Sequence, residues 1–210
     1  MTTRETEIKI DLFSRENYRK LLDSLKGQQT TIYQENYFFD TPRMSLAAAG
    51  WALRIRLKSG RAIITAKGPR ADSTSGIACR PETEVAIEPD MVARFIKDGL
   101  IPTDLPTDIR KALPSPEKEE RLIMRLKFST TRTAIKQRLG NQTVIFEIDH
   151  THFADDSDDF ELEVEIDDGF PAERIKDELE RTLQTMGIPF KYQNRDKIAR
   201  ASEKANLKPG

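Results

Sequence analysis

Charged side chains in this sequence recur at every second position, and each run presents a face of definite chemistry. Glu5, Glu7 and Lys9 form the first run, Arg54, Arg56 and Lys58 the second, and Arg80, Glu82 and Glu84 the third. Glu147 with Asp149 and then Glu161, Glu163 and Glu165 follow, while Lys67 and Arg132 stand on two further segments. Carboxylates are hard oxygen donors suited to Mg²⁺ or Mn²⁺, and Arg and Lys match the oxygens of phosphate groups. Gathered on one surface, these groups would serve a polyanion escorted by divalent cations. Spread over separate strands, they would be only the wet faces of a sheet.

The elements that carry them decide between these outcomes. Residues 5–12 alternate charged and apolar side chains, which is a strand pattern. Ser14 opens a helix on which Phe13, Tyr18, Leu21, Leu22 and Leu25 fall at helical spacing, with Gly27 as its stop. A second strand spans residues 33–39 and ends at Asp40-Thr41-Pro42. Residues 53–58 and 62–67 form a hairpin about Ser59-Gly60. A loop over 68–76 leads to a strand over 80–87, and one or two short helices lie between residues 90 and 113. Three strands are expected at about 121–128, about 130–137 and 144–149, the last two joined by a Gly140-Asn141 turn. An acidic connector, 155–159, precedes the cleanest alternation in the chain, 160–167. A helix over 171–186 then lines up Ile175, Leu179, Leu183 and Met186. The basic segment 192–200 begins as a short helix, and 201–210 is expected to be a loose tail.

Apolar helix stripes need something to pack on, and the available surfaces are the apolar faces of these strands. The charged faces must then meet solvent or one another. Seven or eight antiparallel strands can close into a barrel, and helices packed outside would leave the charges within. So many buried ions are costly unless paired or offered a ligand of opposite charge. The fold class expected is therefore α+β, a closed eight-stranded antiparallel β-barrel with helices outside, forming one domain over 1–210 with its core at about 3–200.

Composition excludes several classes of function. There are 34 Lys and Arg against 35 Asp and Glu among 210 residues, a net charge of −1, which removes the global electrostatic case for nucleic acid. No stretch approaches the ~20 apolar residues of a membrane span. The N-terminus lacks the apolar core of a signal peptide, and Cys79 is the only cysteine. The expectation is a cytoplasmic protein without disulfides, nucleic-acid partner or membrane association, of open oligomeric state.

Glu5-x-Glu7-x-Lys9 resembles the ExExK motif of the CYTH, or triphosphate tunnel metalloenzyme, superfamily. The resemblance extends in order through Phe38-Phe39-Asp40-Thr41-Pro42, Leu53-Arg54-Ile55-Arg56, Thr65-Ala66-Lys67, Glu82-x-Glu84, Arg132, Glu147-x-Asp149, Glu161-x-Glu163-x-Glu165 and Asp196-Lys197. It implies a tunnel-forming barrel that acts on triphosphates with Mg²⁺ or Mn²⁺. By this resemblance Glu5, Glu7, Glu161 and Glu163 are metal ligands with Asp149 close by, and Glu82 and Glu84 orient cations or serve a second metal. Lys9, Arg54, Arg56, Lys67, Arg132 and Lys197 hold triphosphate oxygens; Arg80 joins this binding set, and Glu5, Lys9 and Glu161 are the catalytic candidates. Open alternatives are Lys191 for Lys197, Lys58 for Lys67, which of Glu82 and Glu84 faces the metal, and the identity of the general base.

Inorganic tripolyphosphate is the substrate expected, hydrolysed to phosphate and diphosphate. Thiamine triphosphatase, class IV adenylate cyclase and a non-catalytic polyphosphate or nucleotide binder are the alternatives. A thiazolium head group would favour an aromatic platform, and Trp51 reads instead as turn or core packing. The chain starts too near Glu5 for an added recognition segment, and no C-terminal helical domain follows. His150 and His152 read as surface or turn residues, Cys79 as a small strand-entry residue, and the 155–159 run as solvated.

Overall fold

The computed structural model describes residues 2–71, 76–114, 120–167 and 171–207. Eight antiparallel strands form the barrel: β1 (Thr2–Asp11), β2 (Gln29–Asp40), β3 (Ala52–Lys58), β4 (Arg61–Lys67), β5 (Ile77–Ile87), β6 (Ile123–Leu139), β7 (Gln142–Phe153) and β8 (Asp158–Glu165). They are hydrogen-bonded in the order β5-β4-β3-β2-β6-β7-β8-β1, and pairing of β1 with β5 closes the circle. Closure leaves no long exposed edge among them. The two strands expected at 121–128 and 130–137 are one, because alternation continues unbroken through Ser129 and nothing there forces a turn. Phe38 faces inward and Phe39 outward by strand alternation, and a bulge at Arg125 of β6 shifts the register between them so that Leu126 joins Phe38 and Met124 joins Phe39.

The outward faces build two apolar layers. Helix α1 (Arg15–Ser24) and α5 (Ala172–Thr185) cover β1, β7 and β8, burying Leu21, Ile175, Leu179 and Leu183 against Ile8, Ile10, Phe146, Ile148, Leu162 and Val164. Helices α2 (Ser45–Ala48), α3 (Asp90–Asp98) and α4 (Thr107–Ala112) cover β3 and β4 through Leu46, Val92, Phe95 and Ile109. Local chemistry sets the ends of these helices. Ser14 caps α1, its Oγ accepting from the Asn17 N–H at 3.2 Å. Phe13 departs from the expected stripe: it is 51% exposed with φ 63°, outside the helix. Ser59 and Gly60, both at positive φ, make the tight β3–β4 turn. The buried Asp40 accepts N–H groups of Thr41, Leu46 and Ala47 at 2.7–2.9 Å, so the Phe-Phe-Asp-Thr-Pro segment anchors α2.

One end of the barrel is covered. Helix α6 (Lys197–Lys204) packs Ala201 and Ile198 on Phe38, Leu126, Phe128 and Phe153, so residues 201–204 are ordered helix rather than loose tail. A two-residue strand, β9 (Lys191–Tyr192), pairs with β1 and leads into it. Residues 72–75 of the expected loop and 208–210 of the expected tail lie outside the described residues. Among the described residues, no helix is long and apolar enough to cross a membrane.

Candidate active site

The charged runs do converge. A cavity of about 540 Å³ occupies the barrel interior, and among the described residues lining it are nine Lys or Arg and ten Asp or Glu. Strand alternation alone produces this: Glu5, Glu7 and Lys9 point inward while Ile8 and Ile10 point to the helices.

Most of these ions are paired with one another. Lys67 Nζ lies 2.7 Å from Glu82 and 2.9 Å from Glu5, and Arg80 bonds Glu5 and Asp196, each at 3.0 Å. Lys9 bridges Glu7 at 3.0 Å and Glu163 at 2.8 Å. Arg132 makes a two-toothed contact with Asp149, 2.8 and 2.7 Å, and also meets Glu147 and Glu163. From α6, Lys197 reaches Glu163 at 2.7 Å and both Asp149 and Glu161 at 3.0 Å. Arg54 donates to Thr65 at 3.2 Å and Glu84 at 3.4 Å.

Three groups stand apart from this pairing. Among the described residues, Arg56 and Lys58 have no carboxylate within salt-bridge distance; Arg56 donates only to the Asn36 side-chain oxygen, at 3.0 Å. Burial, with Arg54 and Arg132 nearby, pushes the Arg56 guanidinium down to about 9. Burial and Arg56 likewise depress Lys58. Glu165 also lacks a cation partner among the described residues; burial, Glu147 and Glu5 push it up to about 7. Burial and the neighbours Glu163 and Glu5 raise Glu7, even against Lys9. Glu82 is likewise raised to about 7, by burial and by its hydrogen bond with Glu5. Burial alone would raise Glu5 and Asp149 too, but Lys67 and Arg80 beside the first, and Arg132 and Lys197 beside the second, hold both below the usual range. Among the described residues the lumen thus holds two cations on β3, Arg56 and Lys58, without a carboxylate partner, and one carboxylate on β8, Glu165, without a cation partner.

Of the residues expected at the site, Glu5, Glu7, Lys9, Arg54, Arg56, Lys67, Arg80, Glu82, Glu84, Arg132, Asp149, Glu163 and Lys197 all line the cavity. Glu161 does not: it sits behind α6, where Lys197 and Arg200 engage one carboxylate oxygen at 3.0 and 2.6 Å, while its other oxygen is buried without a partner. The residues of the open alternatives differ in position. Lys197 enters the cavity, whereas the exposed Lys191 pairs with Asp11 at 3.3 Å. Lys58 and Lys67 both line it, Glu82 is deep, and the Glu84 side chain is 47% exposed at the mouth. Residues of the site that the sequence motifs did not include are Gln34, Asn36 and Arg200. Lys197 and Arg200, three apart on a helix, share a face, a spacing visible in the sequence; Asn36 carried no charge to mark it.

His150 and His152 lie outside the barrel, each 3.0 Å from Asp158 Oδ1, and His150 stacks on Phe160. They belong to strand β7 rather than to a turn. Among the described residues, no three His, Cys, Asp or Glu side chains converge as a finished metal site. In the lumen this follows from the pairing, which turns nearly every carboxylate toward a cation. The donor chemistry nonetheless fits a hard divalent cation, because Glu5, Glu7, Glu147 and Glu165 present crowded oxygens on one wall.

No curated protein matches the chain by sequence. Among solved structures, a Hippeastrum protein described as an adenylyl cyclase candidate with a dominant triphosphatase activity matches with TM-score 0.82 and 24% identity, covering 97% of both chains. A Bacillus halodurans protein described as an adenylate cyclase candidate matches with TM-score 0.67 and 24% identity, over 94% of this chain and 97% of that one. A Pyrococcus horikoshii protein matches with TM-score 0.61 and 20% identity, over 94% and 99%. These likenesses concern the fold. The family model for the CYTH domain matches residues 3–201, nearly the whole sequence, and the chain belongs to the CYTH domain family.

Proposed function

We propose that the cavity binds a triphosphate together with a divalent cation and hydrolyses it, inorganic tripolyphosphate to phosphate and diphosphate being the reaction favoured. The observation that carries this reading is the split lumen: among the described residues Arg56 and Lys58 lack anions on one side, and Glu165 lacks a cation on the other. A near-balanced lining gives a bare polyanion little net attraction, whereas a polyanion with its own cations satisfies both sides. Arg54, Arg56 and Lys58 would grip phosphate oxygens, and Glu5, Glu7, Glu147 and Glu165 would hold the cation. Lys9 orients Glu7, Lys67 and Arg80 orient Glu5, and Arg132 orients Glu147, while Lys197 holds Asp149, Glu161 and Glu163. When bound, Mg²⁺ or Mn²⁺ would supply Lewis-acid stabilisation of phosphoryl oxygens and a more acidic water. A carboxylate oxygen of Glu165, with its affinity near neutrality, would accept the proton from an attacking water. Positioning and charge neutralisation would provide most of the rate. Glu161, bonded beneath α6, would steady Lys197 rather than meet substrate.

The triphosphatase activity described for the Hippeastrum protein agrees with this reading. Among the described lining residues the aromatic rings are Phe38 and Phe128, which pack beneath α6, while Thr30, Ile32, Ile63 and Ala134 offer no ring to stack a base or thiazolium, which favours the inorganic substrate. Phosphate release from tripolyphosphate, ATP and thiamine triphosphate, each with Mg²⁺, Mn²⁺ or EDTA, tests it, with cyclic AMP assayed in the ATP sample. Chelator-sensitive release from tripolyphosphate is expected; cyclic AMP formation or preference for an organic triphosphate would relocate the activity, and no turnover at all would withdraw it.

A further inference from the structure

Two of the lumen's most deeply buried polar side chains are uncharged. Asn36 is 1% exposed and Gln34 3%, both on β2 and both lining the cavity beside Arg56 and Lys58 of β3. In the β2–β3 ladder Asn36 lies opposite Arg56 and Gln34 opposite Lys58, so each amide is paired in register with one of the two cations lacking carboxylates. The Asn36 amide has a defined orientation: its Oδ1 accepts from the Arg56 Nε–H at 3.0 Å, and a donor there demands an oxygen. Its Nδ2 is consequently the free end, and it is buried without a partner, as is the Nε of Arg54 one rung deeper on β3. Gln34 Oε1 is also unpartnered, and among the described residues nothing fixes which end of that amide faces the lumen.

A buried donor with no acceptor is costly in the free protein, and this one stands beside guanidinium groups that are donors only. What satisfies it must bring acceptor oxygens in a row. We infer that Asn36 is a substrate-contacting residue, donating its Nδ2–H to a phosphate oxygen adjacent to the one gripped by Arg56, in addition to holding the Arg56 guanidinium in place. The inference rests on the triphosphate reading of this cavity. A neutral donor adds direction without adding charge, so it fixes where along the phosphate chain the Arg56 contact falls. Gln34, one rung nearer the mouth, offers a second such amide for the outer phosphate.

The experiment measures binding without turnover, using isothermal titration with diimidotriphosphate and Mg²⁺. The proteins are the parent, Asn36→Ala, Asn36→Asp, Arg56→Ala and the Asn36→Ala/Arg56→Ala double variant, each checked for folding by its thermal transition. Losing a hydrogen bond to a charged oxygen predicts a roughly 10- to 100-fold weaker Kd for Asn36→Ala. Asn36→Asp keeps an oxygen for Arg56 but loses the donor, and it is expected to bind at least as weakly as Asn36→Ala. In the Arg56→Ala background, Asn36→Ala should still weaken binding about 10-fold. Parent binding with no loss in Asn36→Ala, or loss that disappears once Arg56 is gone, overturns the inference and leaves the triphosphate reading intact. A parent that does not bind the analogue overturns both. If Asn36→Ala fails to fold, Asn36→Leu, close in shape and without a donor, takes its place, with the same losses expected and the same results overturning the inference.

Discussion

Arg56 is the group whose charge the free protein satisfies least, and replacing it by methionine separates stability from binding. Its guanidinium falls from the usual 12.5 to about 9 through burial, Arg54 and Arg132. At ~1.4 kcal/mol per pKa unit, holding that charge costs at most about 5 kcal/mol. Solvent in the lumen screens part of this, and Arg56→Met leaves Asn36 Oδ1 unpaired, a loss of about 1–3 kcal/mol. The net expectation is a gain of about 1–2 kcal/mol, or roughly 2–8 °C in Tm for a chain of this size. Triphosphate affinity should move the other way, because two charge-assisted hydrogen bonds are lost at about 1.5–3 kcal/mol each, a 10²- to 10⁴-fold weaker Kd. Thermal melts in EDTA and titration with Mg²⁺-diimidotriphosphate read the two effects separately. If Arg56→Met melts below the parent, or binds as tightly, then Arg56 is not an uncompensated cation awaiting an anion.

The two lumen carboxylates Glu5 and Glu165 should respond oppositely to neutralisation. Glu5→Gln strips Lys67 and Arg80 of a shared partner and should destabilise the fold by about 1–3 kcal/mol, whereas Glu165→Gln, which relieves repulsion, should be neutral or stabilising in a denaturant titration. Both should lower affinity for Mg²⁺ measured calorimetrically. Stability should also depend on pH in two directions. Glu82 and Glu165 keep protons in the folded state up to about 7, so their contribution is present at acid pH and is lost as pH rises from about 4.5 through 7. Glu5, Asp149 and Glu163, held below the usual range, contribute above about 4.5, and that contribution is lost as pH falls. A Tm maximum between about pH 4.5 and 6 is expected, and a Tm still rising from pH 6 to 8 would contradict the raised pair. Arg200→Ala removes the 2.6 Å contacts to Glu161 and Asp159 that pin α6, and hydrogen exchange at 197–204 should become faster than exchange in the barrel strands.

Alternation made the barrel legible in the amino-acid order. A period of two allows only two faces, and once apolar helices claimed one face the charges had to share the other. That is why Glu5, Arg54, Glu82, Arg132 and Glu163 all reached the lumen as expected. Short-range chemistry was equally readable in the Ser14 cap and the Ser59-Gly60 turn. What the order of residues left open depended on which charge meets which. Glu161 shares the alternation of Glu163 and Glu165, yet α6 comes to rest over it and bonds it to Lys197 and Arg200. The long β6 looked like two strands because no local signal shows that a run keeps its partners. Asn36 acquired its role only from its rung opposite Arg56, a pairing that register decides. Strand period is a property of consecutive residues, whereas ion partners, the cover at the barrel's end and the orphaned amide are set by contacts between segments distant in sequence, and those exist only after the barrel closes.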